Sequence, residues 1–81
     1  MELRQLTYFR EIANTGSINE AARKLNMSQP PLSYQIRQLE EELQERLFLR
    51  TTKTLSITPH GRELYEYAAQ LLTLQERMLS G

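Results

Sequence analysis

Hydroxyl, amide and guanidinium groups gather at the start of one predicted helix, on the side away from its apolar stripe. The residues that carry these groups are Ser28, Gln29, Ser33, Tyr34 and Arg37. Two prolines, Pro30 and Pro31, lie among them in the first turn. Such groups can exchange hydrogen bonds with base edges in the major groove of DNA, and glutamine can pair bidentately with adenine. We therefore predict that this helix start reads a DNA sequence. The alternative is a solvated helix start. For Arg37 two interpretations stay open, a contact with a DNA phosphate and an i,i+4 pair with Glu41.

Three predicted helices position these groups. Apolar residues recur at helical spacing over residues 3 to 14, and Gly16 ends this first helix. Ser17 and Glu20 fit a capping box at the start of the second helix, and Asn26 suits the left-handed residue that ends it. A tight turn then leads to Ser28, which is predicted to cap the third helix. The apolar stripe of that helix consists of Leu32, Ile36, Leu39 and Leu43.

A short basic hairpin is predicted after the third helix. The β-prone runs 49–51 and 55–57 flank a tip at residues 52–54. Because the hairpin follows the reading helix, we expect its basic and hydroxyl side chains to reach DNA. They are Arg50, Thr52 and Lys53. For Lys53 the alternative is an ordinary solvent-exposed turn residue.

The last predicted helix is longer than a domain of this size needs for its own core. Thr58 caps it, Pro59 is its first residue, and residues 59 to 80 would span about 33 Å. Its stripe is apolar apart from one glutamine and follows 4-3-4-3 spacing with two neighbouring leucines, as in a coiled coil. The stripe consists of Leu64, Ala68, Leu71, Leu72, Gln75, Met78 and Leu79. We predict that it forms a dimer seam, although an ordinary core face is the alternative.

Composition restricts the class of protein. The 81 residues include no cysteine, and ten basic residues balance ten acidic ones, which counts against an undiscriminating nucleic-acid binder. Basic residues lie in the middle of the chain. The acidic run Glu40 to Glu42 is interpreted as a solvated face of the third helix. His60 is the only histidine, so we expect no metal site, no cofactor and no catalytic group. With neither a membrane-length apolar run nor a signal segment, a cytoplasmic protein is expected.

A series of short motifs recurs in the order and spacing of one known family. The motifs are Leu3-Arg4-Gln5-Leu6-Thr7-Tyr8-Phe9, Gly16-Ser17-Ile18, Ala21-Ala22-Arg23-Lys24-Leu25, Ser28-Gln29-Pro30-Pro31-Leu32-Ser33, Ile36-Arg37-Gln38-Leu39-Glu40-Glu41, Leu47-Phe48-Leu49-Arg50 and Thr58-Pro59-His60-Gly61. Each motif is weak alone, but together they are highly specific. Over essentially its whole length, the chain resembles the N-terminal DNA-binding domain of LysR-type bacterial transcriptional regulators.

The resemblance implies a mainly α fold: a winged helix-turn-helix with a three-helix core and a small β-hairpin wing over residues 1–58, then a linker helix over 59–81. It implies a homodimer through the linker helix, a homotetramer at full length, and an interrupted inverted repeat of double-stranded DNA at a promoter as the target. A small-molecule inducer would bind only a C-terminal domain that lies outside this chain. Gln29, Pro30, Ser33 and Tyr34 would meet the major groove, and Lys53 the minor groove or its phosphates.

Two residues depart from the family pattern. Gln44 stands where the family commonly has glycine, so we expect the third helix to be extended or differently capped. Tyr34 occupies a position often held by arginine or another polar residue, so the base preference there should differ. The competing interpretation of the whole chain is a helical protein-interaction module that dimerises without binding DNA.

Overall fold

The computed structural model describes residues 1–51 and 53–81. This part of the chain contains four helices and one antiparallel hairpin. In chain order they are α1 (Leu3–Thr15), α2 (Ile18–Lys24), α3 (Gln29–Leu43), β1 (Phe48–Arg50), β2 (Leu55–Ile57) and α4 (Pro59–Ser80). The hairpin, called the wing below, pairs Phe48 with Ile57 and Arg50 with Leu55. The predicted fold class, a winged helix-turn-helix followed by a long helix, is confirmed.

The main core lies between α1, α2 and α3 and extends to the root of the wing. Phe9 and Ile12 of α1 are fully buried against Leu32 and Ile36 of α3, as the apolar spacing predicted. The Phe9 ring also packs against that of Phe48, with centroids 5.3 Å apart and planes tilted by 44°. Burying two such rings stabilises the fold by several kcal/mol at roughly 25 cal/mol per Å². The wing is therefore anchored to the helical core through its first residue.

Local residue chemistry sets the helix boundaries. Gly16 and Asn26 both adopt the left-handed conformation, with φ of 70° and 55°, and follow α1 and α2 as predicted. The predicted capping box of α2 is half formed. The Ser17 hydroxyl accepts the Glu20 N–H at 3.2 Å, but the Glu20 carboxylate lies 3.2 Å from Arg23 instead of reaching back to Ser17. A basic partner three residues later competes for that carboxylate.

The third helix is not extended through Gln44. Gln44 takes the left-handed conformation (φ 57°, ψ 36°) in which the family commonly places glycine, and α3 ends at Leu43. Its amide side chain donates a 2.7 Å hydrogen bond to the carbonyl oxygen of Glu41 in the last turn, which also accepts the Gln44 N–H at 3.2 Å. This bond partly offsets the steric penalty of about 1–2 kcal/mol for a side chain in this conformation.

Exchanging Gln44 tests this helix end. We expect Gln44→Gly to be more stable than Gln44→Ala by about 1 kcal/mol, because both lose the side-chain hydrogen bond and only alanine keeps the left-handed strain. In a continuous helix the order would be the reverse, by about the same amount. Urea unfolding of the two variants measures the difference. A more stable alanine variant would show that α3 runs through position 44.

A second, smaller core joins α4 to α1. Leu6 of α1 packs against Ala68 and Leu72 of α4, and all three are buried. At the start of α4 the Thr58 hydroxyl accepts the Gly61 N–H at 2.9 Å, which confirms the predicted cap. The first half of α4 is thus fixed to the three-helix body.

Candidate nucleic-acid interface

Gln29 and Ser33 form a pair on the first turns of α3. The Ser33 hydroxyl accepts a hydrogen bond from the Gln29 side-chain Nε2. Ser33 is only 4% exposed, which differs from the expectation that it points away from the apolar stripe. It projects about 60° from Ile36 on the helix, and a small side chain there is covered by its neighbours. Among the described residues, no hydrogen bond occupies the side-chain carbonyl oxygen of Gln29 or its second amide hydrogen, so both can meet a base edge.

The start of α3 presents the other predicted residues to solvent. Ser28 occupies the N-cap position, but its side chain makes no capping hydrogen bond. The physical reason is that such a bond needs the N–H of the second or third helical residue, and these are Pro30 and Pro31. The Ser28 hydroxyl is therefore not used to cap the helix. Both prolines are exposed, as is Tyr34, which is 52% exposed.

The wing tip is organised by a threonine that sequence reasoning did not select. The Thr51 hydroxyl oxygen accepts the N–H of Lys53 at 3.3 Å and that of Thr54 at 3.0 Å. Hydroxyl residues that bond the backbone two or three positions later are typical of such turns, and this was the signal available in the sequence. Arg50 and Lys53 are exposed. Thr52, which was also predicted to contact DNA, lies outside the described residues.

A groove between α3 and the wing gathers basic side chains. Its lining residues are Ile36, Arg37, Glu40, Arg46, Phe48 and Arg50. Arg37 and Arg50 were predicted, whereas Arg46 was missed because it lies in an irregular connection with no periodicity. Among the ion pairs of the described residues there is none between Arg37 and Glu41, so the guanidinium of Arg37 remains available for a phosphate.

Among the described residues, the remaining titratable side chains form no site of their own. The His60 Nε2 lies 3.1 Å from the carboxylate of Glu45, as a surface pair. Within residues 1–51 and 53–81, no cluster of histidine, cysteine, aspartate or glutamate has the arrangement that a metal ion requires. In the same part of the chain, no helix is both long enough and apolar enough to span a membrane.

Two apolar stripes lie side by side on α4, and only one of them is open. Ala68 and Leu72, predicted as dimer contacts, are buried against Leu6 of the same chain, and Leu64 and Gln75 are half-buried. The exposed apolar residues of this helix are Tyr67, Leu71, Leu74, Met78 and Leu79.

Four of the exposed residues repeat at 4-3-4 spacing, and we call them the open seam: Tyr67, Leu71, Leu74 and Met78. The open seam keeps the predicted Leu71 and Met78 but adds Tyr67 and Leu74. Its axis is about 90° round the helix from the face that packs on α1, at 100° per residue. The sequence pattern merged the two stripes into one.

Comparison with known proteins identifies the family. Residues 3–62 match the family described as bacterial regulatory helix-turn-helix protein, lysR family. The transcriptional regulator BenM of Acinetobacter baylyi is 45% identical over 80 residues, which are 99% of this chain and 26% of BenM. The regulator BudR of Klebsiella aerogenes is 44% identical over 79 residues, 98% of this chain and 55% of BudR. The chain thus spans about a quarter to a half of these relatives.

Solved structures agree with this assignment. The crystal structure of the BenM DNA-binding domain with catB site 1 DNA has a TM-score of 0.95 at 45% identity and covers 99% of this chain and 90% of that one. Full-length CbnR complexed with its target DNA has a TM-score of 0.91 at 37% identity, over 96% of this chain and 27% of that one. The predicted family is therefore confirmed, and the chain belongs to the LysR family of bacterial helix-turn-helix regulators, corresponding to their DNA-binding domain.

Proposed function

We propose that this chain binds a specific double-stranded DNA sequence as a homodimer and so brings a transcriptional regulator to its promoter. The observation that carries the proposal is the groove in which Arg37 of α3 and Arg50 of the wing face the same space. A duplex that follows this groove meets the polar start of α3 and the basic wing together. Structures of two relatives, BenM and CbnR, are complexes with DNA.

Different side chains are proposed to read bases and to bind the backbone. Gln29 and Tyr34 lie where α3 would enter the major groove, with Ser28, Pro30 and Pro31 beside them. Ser33 is buried, so its effect on DNA would pass through the Gln29 amide. The basic side chains would neutralise phosphates, which fixes the register of the protein on the duplex. They are Arg37, Arg46, Arg50 and Lys53.

The open seam supports pairing of two copies through α4. A 4-3-4 apolar repeat that one chain leaves exposed is the pattern of a two-helix seam. Two paired copies would place their α3 helices on half-sites separated by about one helical turn or a multiple of it, in an inverted repeat. For the whole regulator we further propose a cytoplasmic homotetramer whose C-terminal domain, outside this chain, binds a small-molecule inducer.

Titration of duplex DNA at several salt concentrations tests the proposed function. A chain that neutralises several phosphates should lose affinity steeply as salt rises, with one unit of slope for about each phosphate neutralised. A sequence selected from a random duplex pool should be bound at least about a thousandfold more tightly than unselected DNA. Dimerisation without any DNA binding would favour the alternative of a protein-interaction module.

Gln29→Ala should weaken binding to the selected sequence by about 1–3 kcal/mol and relax the preference at one base pair. Such a contact requires the side-chain carbonyl oxygen and the second amide hydrogen of Gln29, which make no hydrogen bond within the described part of the chain. Gel-shift titration on the selected duplex and on its single-base variants measures both effects. Gln38→Ala, an exposed glutamine nearer the far end of the same helix, is the matched control and should change neither. Equal losses on selected and random DNA would show that Gln29 does not read sequence.

Lys53→Ala should weaken binding and lower the salt slope by about one unit, since one phosphate contact is lost. The reason is the place of Lys53 at the exposed tip of the wing, where Thr51 holds the turn. Affinity measured at four or more salt concentrations gives the slope. Arg77→Ala, which removes one positive charge near the end of α4, should leave the slope unchanged. An unaltered slope for Lys53→Ala would remove the wing tip from the interface.

A further inference from the structure

Glu40 ties the recognition helix α3 to the root of the wing. Its Oε2 atom accepts the backbone N–H of Leu47 at 2.7 Å and that of Phe48 at 3.3 Å. Two consecutive backbone donors thus meet one carboxylate oxygen, in charge-assisted bonds that are stronger than neutral ones. The sequence suggested a solvated acidic run, but only the contacts between residues seven and eight positions apart reveal this role.

The same short segment is held from the opposite side by the start of α4. The Leu47 carbonyl oxygen accepts the Thr58 N–H at 3.0 Å, and the Thr58 hydroxyl donates to the Arg46 carbonyl oxygen. Leu47 and Phe48 are buried, so their backbone groups need protein partners. Residues 46–48 are therefore clamped between Glu40 on α3 and Thr58 at the cap of α4.

A carboxylate at this position opposes the electrostatics of DNA binding. Glu40 lines the same groove as Arg37, Arg46 and Arg50, where a negative charge repels phosphates. In the part of the chain that the structure describes, Glu40 forms no ion pair with these arginines. Its contribution is thus the pair of backbone hydrogen bonds, and the arginines stay free for DNA.

We propose that Glu40 is a positioning residue for DNA recognition, which sets the wing at the angle to α3 that lets Lys53 and Gln29 engage one duplex. This inference rests on the proposed function. The tip of the wing lies roughly 10 Å from its root, at about 3.3 Å per strand residue. A rotation of about 10° at the root would therefore move Lys53 by roughly 2 Å, enough to break a phosphate contact.

The test compares Glu40→Ala with Glu41→Ala, using the 81-residue chain. Both variants remove one negative charge from neighbouring positions of α3, but the Glu41 side chain makes no hydrogen bond or ion pair among the described residues. We expect Glu40→Ala to lower operator affinity roughly tenfold through the loss of charge-assisted bonds, whereas Glu41→Ala leaves it unchanged or raises it slightly. Equal shifts in the two variants would overturn the proposal, because the carboxylate would then act through its charge alone.

A double-mutant cycle with Lys53→Ala separates positioning from folding. If Glu40 aims the wing, Lys53→Ala should weaken binding several-fold less in the Glu40→Ala background than in the wild-type chain. The same penalty in both backgrounds would overturn the proposal. Glu40→Gln, which keeps an acceptor oxygen, should restore part of the affinity and of the Lys53 penalty, and it serves as the folded variant if alanine is not tolerated.

Amide hydrogen exchange in free protein gives a readout that does not involve DNA. The N–H groups of Leu47 and Phe48 should exchange at least about tenfold faster in Glu40→Ala than in Glu41→Ala, while core amides of α1 keep their rates. Unchanged exchange at Leu47 and Phe48 would show that the hydrogen bonds to Glu40 do not protect these amides, and would overturn the proposal. If exchange changes but Lys53→Ala has no effect in the wild-type chain, the wing contact of the proposed function fails, and the positioning role fails with it.

Discussion

Leu71→Glu is expected to make the protein monomeric and to lower its affinity for a two-half-site operator at least about a hundredfold. Leu71 is 43% exposed and lies in the middle of the open seam. A carboxylate there would have to lose its hydration for the two helices to meet, which opposes pairing. Each unpaired copy would then bind one half-site without the gain from the second. Sedimentation velocity of the wild-type and variant chains, alone and with operator duplex, measures the species formed.

Thr73→Glu is the matched control for this experiment. It adds the same charge to the same helix at an exposed position about 130° round from the open seam. We expect the control to pair as the wild-type chain does and to keep its operator affinity within about twofold. A Leu71→Glu variant that still pairs, or a wild-type chain that binds the operator as a single copy, would contradict the assignment of the seam.

Gly61→Ala is expected to destabilise the fold by about 2–3 kcal/mol, although alanine is usually the better helix former by about 1 kcal/mol. A Cβ at this position would lie 2.4 Å from the carbonyl oxygen of Leu47 and 2.6 Å from the Cγ1 atom of Ile57. The carbonyl oxygen cannot move aside, because it also accepts the Thr58 N–H. Denaturant unfolding of the wild-type and variant chains gives the free-energy difference.

Gly16→Ala separates crowding from backbone strain in that measurement. A Cβ at Gly16 would meet nothing within 4 Å, but its φ is 70°, so the expected loss is the left-handed penalty of about 1 kcal/mol. The loss at Gly61 should therefore exceed the loss at Gly16. A Gly61→Ala chain more stable than the wild type would refute the close approach of α4 to the wing root.

Sequence reasoning succeeded where one residue type carries the physical signal. Gly16 and Asn26 end their helices because each takes the left-handed conformation at little steric expense, and Thr58 caps α4 through its own hydroxyl. For Gln44 the sequence predicted a third helix that is either extended or differently capped. The structure shows the different cap, because a local hydrogen bond partly offsets the strained conformation. Such offsets depend on geometry that composition does not reveal.

Other features of the site were hidden because they depend on which partner covers a side chain. Periodicity showed that α4 is apolar over a wide arc, but the division between Leu72, buried on α1, and Leu74, open to solvent, required the packed structure. The helical spacing placed Ser33 on the surface, but neighbouring residues bury it. The role of Glu40 depends on contacts across a chain reversal, which no local pattern encodes.

In the proposed dimer, the attachment of α4 to the three-helix body would fix the distance between the two α3 helices. Thr58 and Gly61 hold the helix at its start, and the contact of Leu6 with Leu72 holds it further along, so the open seam keeps a set direction relative to α3. An operator whose half-site spacing differs from this distance would have to bend or twist before both half-sites could be bound. The energy of that deformation depends on the base pairs between the half-sites. The spacer that no side chain touches would thus become part of the sequence that the protein selects.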